Sequence, residues 1–398
     1  MFQRVMGQVF TRYIKFPVVA ILGPRQSGKT TLAKYFFKNY KYFSLEDPNT
    51  RLLVQNDPRG FLKANENAHG IIIDEFQHVP NILSYIQLES DEKNRPGYFV
   101  LTGSQNYLMN QAITQSLAGR VGILTLLPLS INEMAQNNLL ENKSVDDLMF
   151  FGGYPRVYSE SILPLDYFPS YLQSYVERDV RQLVNVENLN LFQKFMSLCA
   201  GRIGQLLNIE SLGNDCGISF NTARSWLSIL EASYTIFLLQ PHFKNFSKRL
   251  TKSPKLYFHD TGLACSLLRI LSPEVLATHP LRGNIFESLI IADMYKQFCN
   301  KGMRSPLYFW RDLNGRHEID CIIDRGLNLV PVEIKSGLTI SSDFFKGLEY
   351  WNDLAQNNPN NSFVIYGGNE KEIRKQGIII GWKAAGNFID QMIDPTVL

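Results

Sequence analysis

The chain has 398 residues, of which 45% are hydrophobic and 12% aromatic, a composition that fills real cores and excludes a disordered polymer. That length exceeds what a single core serves, so two or three domains are expected. With 40 basic and 37 acidic residues the net charge is only +3, which excludes a globally cationic surface and confines any nucleic-acid contact to a local patch.

The first residues, Met1 to Phe10, lack the long apolar core of a signal peptide, and no window nears the roughly 18 apolar residues of a spanning helix. A cytoplasmic protein with no membrane partner is the expectation. Its five cysteines, Cys199, Cys216, Cys265, Cys299 and Cys321, are scattered without metal-type pairing and read as reduced thiols.

Val18 to Leu22 is an apolar strand that opens into Gly23, Pro24, Arg25, Gln26, Ser27, Gly28, Lys29, Thr30 and Thr31, after which Leu32 to Phe36 continues a helix. Glycine lets the backbone turn tightly and aim N–H groups inward, and a helix N-terminus favours negative charge. The order suits a triphosphate such as ATP. Residues 23–31 would cradle it, Lys29 would meet the β- and γ-phosphates, and the Thr30 hydroxyl would hold Mg2+.

Gly70 to Glu75 reads as a buried central strand ending in two carboxylates. Asp74 would bind the metal, and Glu75 would orient or deprotonate the attacking water. Tyr98 to Leu101 is a further strand running into polar residues, and Ser104 with Gln105 is the expected sensor pair at its carboxyl end. A polar turn that only ends a strand is the alternative there. Arg120, ahead of the apolar run Val121 to Leu129, has the fixed charge of an arginine finger, and a surface ion pair explains it equally well.

From Ile131 to about Asn208 the pattern turns helical, with Phe168, Tyr171, Leu172 and Tyr175 on one helix side and a Gly152-Gly153-Tyr154-Pro155 interruption before them. Tyr175 to Arg181 is a charged face that suits nucleotide or a neighbour, or a solvated helix laced with ion pairs. Ile209 to Cys216 and Phe220 to Glu231, joined by Gly217-Ile218 with Ser219 as N-cap, have helix-turn-helix spacing. Thr235 to Leu239 and Lys255 to Phe258 then pair as a hairpin, giving a winged helix whose loop holds Lys244, Lys248, Arg249 and Lys252 with Phe243 and Phe246 interleaved. Such a wing neutralises phosphates, whereas the second helix offers only Asn221, Arg224 and Ser225 for base readout.

In the last third, Glu287 lies at the flank of a helix that begins near Asn284. Glu318 to Ile323 and Leu329 to Lys335 read as strands around an Asp324-Arg325-Gly326 turn. Residues two apart on a strand share a face, so Glu333 and Lys335 point the same way, and Asp320 beside them would complete the means of cutting a phosphodiester with Mg2+. Ordinary exposed charges on a hairpin are the plain alternative.

The quartet Glu287, Asp320, Glu333 and Lys335 resembles the signature of the restriction-endonuclease-like superfamily. Over nearly the whole chain, GPRQSGKTT from Gly23, IIIDEFQHVP from Ile71, LTGSQ from Leu101, LAGR ending at Arg120 and PKLYFHDTGL from Pro254 resemble a family of prokaryotic AAA-type P-loop ATPases whose C-terminal domain is of unknown function. That resemblance implies an ATP-dependent protein, self-associating through its core. The expected fold is α/β: a P-loop parallel-sheet core over residues 1–135, a helical lid over 136–208, a winged-helix module over 209–258 and a restriction-endonuclease-like α/β domain over 259–398. The leading expectation is an ATP hydrolase acting on DNA or other nucleic acid. A regulatory switch that binds a protein partner and carries an inactive nuclease-like domain is the alternative.

Overall fold

The computed structural model describes residues 1–104, 113, 116–175, 189–242, 253–312 and 314–392. The chain divides into two compact units. One comprises Met1–Leu129 with Ala232–Tyr234 and Phe298–Met303, and the other Ser130–Glu231, Thr235–Gln297 and Arg304–Leu398.

In the first unit, β1 (Val18–Gly23), β2 (Lys41–Ser44), β3 (Ile71–Asp74), β4 (Phe99–Ser104) and β5 (Val121–Thr125) form a wholly parallel sheet in the order β2-β3-β4-β1-β5. The unbroken apolar runs of β1 and β3 follow from burial on both faces. Val18, Ala20, Leu22, Ile71, Ile73 and Leu101 pack into one core with Ile82 and Ile86, whereas Val19, Ile21, Ile72 and Val100 pack into another with Leu32, Ala33 and Phe37. Each buried Val, Leu, Ile or Phe side chain contributes about 1.5–3 kcal/mol. Register does the functional positioning: Gly23 pairs with Ser104 and Asp74 with Thr102, so the polar residues gather at the carboxyl edge.

The second unit begins with helices. Pro164–Tyr175 buries Phe168, Tyr171 and Tyr175 on one side, as the spacing predicts. Ile209–Cys216 and Phe220–Ala232 are joined at Gly217, whose φ of 82° only glycine adopts freely, and the Ser219 hydroxyl caps the second helix by accepting from the Thr222 N–H at 3.1 Å. β6 (Ile236–Leu239) pairs antiparallel with β7 (Lys255–Phe258).

The long helix Arg282–Asn300 precedes a six-stranded sheet. Its strands are β8 (Leu307–Arg311), β9 (Glu318–Asp324), β10 (Leu329–Lys335), β11 (Phe363–Tyr366), β12 (Glu372–Arg374) and β13 (Gly377–Gly381), in the order β12-β13-β11-β10-β9-β8. β9 and β10 form the expected hairpin, Leu329 opposite Asp324 and Val332 opposite Cys321. Trp310, Ile322, Trp351, Val364 and Ile379 fill the core beneath. Among the described residues no helix is long and apolar enough to cross a membrane.

Candidate functional site

The glycine loop leaves β1 at Gly23 and enters the helix Lys29–Phe36 at Gly28. Two glycines are required by geometry. A Cβ at Gly23 would stand 2.1 Å from the Leu126 carbonyl oxygen, and Gly28 has a φ of 97°. Lys29 is buried, and its Nζ donates to the Gly23 and Pro24 carbonyls at 3.1 and 2.8 Å, so the amine curls over the loop that surrounds it. The loop is also braced from outside: the buried Arg4 donates to the Ser27 carbonyl at 3.1 Å and to the Leu127 carbonyl at 2.6 Å.

Asp74 closes β3 under three hydroxyls. Thr30 Oγ1 donates to Oδ1 at 2.9 Å, Thr102 Oγ1 donates to the same oxygen, and the Tyr42 hydroxyl donates to Oδ2 at 2.7 Å. Burial, and then the Asp74 carboxylate, push the Tyr42 phenol well above its ordinary range, so it stays a donor. Lys34 Nζ lies 3.6 Å from the centre of the Tyr42 ring, a cation–π contact that fixes the ring. The Thr30–Asp74 pair therefore joins the first turn of the helix after the glycine loop to β3.

Glu75 follows with a φ of 53°, a left-handed conformation that turns its side chain off the strand. Gln77 Nε2 donates to its Oε2 and also to Ser104 Oγ at 2.9 Å, while the Ser104 N–H and hydroxyl each lie 3.4 Å from Glu75 Oε2. Gln77 Oε1 is buried and, among the described residues, has no hydrogen-bond partner. An orphaned acceptor beside a carboxylate is a place that suits a water O–H. Ser104 ends β4, whereas Gln105 lies outside the described residues. Arg120 grips both oxygens of Asp91, at 2.9 Å through Nη2, and the Ala118 carbonyl at 3.0 Å. This contact lies at the surface.

A second group of charges lies within the second unit. Ile334 N–H donates to Asp320 Oδ2 at 2.8 Å, and Lys335 Nζ sits 3.4 Å from that oxygen while pairing with Glu333. Glu333 and Lys335 do share a face. Glu287, from the helix Arg282–Asn300, bonds to Lys255 Nζ at 3.0 Å and accepts from the Tyr257 hydroxyl, and Lys255 also pairs with Glu318. Burial pushes Glu287 up to about 7 against the pull of Lys255. Burial alone would lower the Lys255 amine, yet Glu287, Glu318 and Asp320 reverse that and hold it above its ordinary value. Burial would likewise raise Asp320, but Lys335 and Lys255 hold it below the usual range. Lys255, Tyr257 and Glu318 are the members that the sequence pattern did not single out.

On the helix Phe220–Ala232, Asn221, Arg224 and Ser225 are exposed while Ala223, Trp226 and Leu227 are buried, so the expected polar face exists. The basic loop residues Lys244, Lys248, Arg249 and Lys252, with Phe243 and Phe246, and the charged run beyond Tyr175 to Arg181 lie outside the described residues.

Residues 15–135 match an AAA domain, residues 142–274 a domain of unknown function (DUF8612) and residues 282–384 another domain of unknown function (DUF4143). The uncharacterized proteins Rv2008c of Mycobacterium tuberculosis and Mb2031c of Mycobacterium bovis are each 30% identical over 335 residues, 82% of this chain and 71% of theirs. A Walker-type ATPase of Pyrococcus abyssi is 14% identical across 68% of this chain and 96% of its own, at a TM-score of 0.44.

Proposed function

Because the chain belongs to the family of the mycobacterial proteins Rv2008c and Mb2031c and its first unit holds an AAA-type P-loop ATPase domain, we propose that it is a Mg2+-dependent ATP hydrolase whose nucleotide cycle acts on nucleic acid. The observation that carries the catalytic part is the 2.9 Å contact between Thr30 Oγ1 and Asp74 Oδ1. It puts a hydroxyl and a carboxylate together at the mouth of the glycine loop, an oxygen set that suits a hard divalent cation.

Residues 23–31 cradle the triphosphate, and Lys29 exchanges the Gly23 and Pro24 carbonyls for the β- and γ-phosphates. Thr30 and Asp74 would hold Mg2+, which neutralises charge on the phosphate oxygens when bound. Glu75 orients the attacking water and accepts its proton. Gln77 and Ser104 bracket the Glu75 carboxylate and set its direction.

Nucleic-acid action is supported by the exposed Asn221, Arg224 and Ser225, by the helix pair and hairpin that read together as a winged helix, and by the basic composition of residues 243–252. The gathering of Asp320, Glu333 and Lys335 supports a restriction-endonuclease-like reading of the C-terminal domain.

The test is ATP turnover by the full chain with DNA, RNA or neither, at rising salt. Stimulation by one polymer that fades as salt rises is the expected result. Turnover indifferent to both polymers would favour the regulatory switch with a protein partner. Equal turnover by Glu75→Gln and the wild type would remove Glu75 from its role.

A further inference from the structure

The acids that the sequence sets out for a metal ion already have cations of their own. Lys255 is 3% exposed, and it reaches Glu287 at 3.0 Å and pairs with Glu318. Tyr257, two residues along β7 and so on the same face, donates to the Glu287 oxygen that Lys255 also holds. Lys335 bridges Asp320 and Glu333, and Arg311 Nη1 lies 3.3 Å from Glu318 Oε2. Four carboxylates thus face three protein cations, two of them lysines reaching in from different strands. A lysine this buried is stable only because it is paired.

A divalent ion needs several oxygens converging on one point with no positive charge between them. Here the Lys255 ammonium stands between Glu287 and Glu318, Lys335 pairs with both Asp320 and Glu333, which also share a hydrogen bond with each other, and Asp320 Oδ2 is further committed to the Ile334 N–H. The residues present do not fit a metal.

We propose that Lys255 is the resident cation of this cluster. Its ammonium, tethered to β7, supplies the charge balance that a divalent ion supplies elsewhere, so the C-terminal domain keeps the shape of a nuclease-like site without cutting phosphodiesters through these acids. The inference is independent of the ATPase reading, since it concerns only groups of the second unit.

The experiment uses the full chain without nucleotide. Mn2+ uptake, followed by electron paramagnetic resonance, is compared between the wild type and Asp320→Asn, alongside incubation of DNA and RNA with Mn2+. The expected result is identical uptake and no cleavage that Asp320→Asn removes. A Mn2+ ion bound by the wild type and lost in Asp320→Asn, or cleavage lost with it, overturns the proposal.

Thermal unfolding reads the counter-ion directly. Lys255→Met is expected to lower Tm by about 10 °C, because it strands a buried carboxylate, and Lys255→Met with Glu287→Gln is expected to regain most of that loss. A double variant no more stable than the single one also overturns the proposal. Should Lys255→Met not fold, the Mn2+ comparison decides alone.

Discussion

Asp74 and Asp320 both lie on interior strands of their sheets, β3 and β9, but the groups that hold them differ in kind. Asp74 is held by the hydroxyls of Thr30, Tyr42 and Thr102. Asp320 is held by the Lys335 amine and the Ile334 amide, with Lys255 contributing its charge from β7. A hydroxyl that turns away gives up about 0.5–1.5 kcal/mol, and its oxygen can itself ligate. An ammonium as buried as that of Lys255 remains charged when it loses its carboxylate, which costs about 3–5 kcal/mol, whereas the part-exposed Lys335 costs less. Hydroxyl partners therefore leave an acid available to an incoming cation, whereas lysine partners close it, and a count of carboxylates alone does not distinguish the two.

The contrast breaks most completely at Lys29. Lys29→Ala removes the cation that the loop is built around, and ATP turnover is expected to fall by about 10³-fold or more in a steady-state phosphate-release assay. Turnover within a few-fold of wild type would show that the hydroxyl-held acids are not serving phosphoryl transfer at all. Glu75→Gln is expected to keep nucleotide binding, measured with a fluorescent ATP analogue, while turnover drops by about 10²–10³-fold. Loss of binding in this variant would make Glu75 part of the cradle instead.

Acid sharpens the contrast between the units. His259, directly after β7, is driven down to about 3 by burial and then by Lys296, so it is neutral in the folded chain. An unfolded histidine takes a proton below about 6.5, and stability is therefore lost as pH falls from there towards the folded value. At pH 5 the loss is about 2 kcal/mol. The difference between wild type and His259→Gln in urea unfolding at pH 7 and pH 5 isolates it, since Glu287, raised to about 7, gains stability as pH falls over the same range and masks it in the wild type alone. His78 in the first unit is also lowered, by burial and then Arg51, but it is less deeply buried, so its effect is expected to be smaller.

What was legible in the sequence is what is local. The glycine loop, the Asp74 strand, the helix pair around Gly217, the hairpin of β6 and β7 and the β9–β10 pair all stand at or near their expected bounds, because turns, caps and two-residue alternation act over a few residues. β2 has no apolar run, since its four residues are exposed or half-buried, and Tyr42 was missed with it. Gln77 stood inside the DEFQ string without a role, because only the fold brings Ser104 to its amide, 27 positions away. Lys255 reads as an ordinary strand residue. Its partner Glu287 is 32 residues on, and nothing local announces a buried lysine or the acid that will meet it.

The finest test compares two tyrosines that do the same local job. Tyr42→Phe keeps the ring on Lys34 but removes the donor to Asp74 Oδ2, while Thr30 and Thr102 both hold Oδ1. Tyr257→Phe removes a donor from Glu287, which retains Lys255. Each is expected to cost about 0.5–1.5 kcal/mol in thermal unfolding without ligand. With Mg2+ and a non-hydrolysable ATP analogue, the Tyr42→Phe deficit should shrink, because an Asp74 carboxylate one donor short gains more from a cation that binds only the folded chain. The Tyr257→Phe deficit should not change, since its carboxylate answers to a lysine already in place. Equal recovery of both variants would mean that the two acids respond alike to added cation, and the distinction between hydroxyl-held and lysine-held sites would fall.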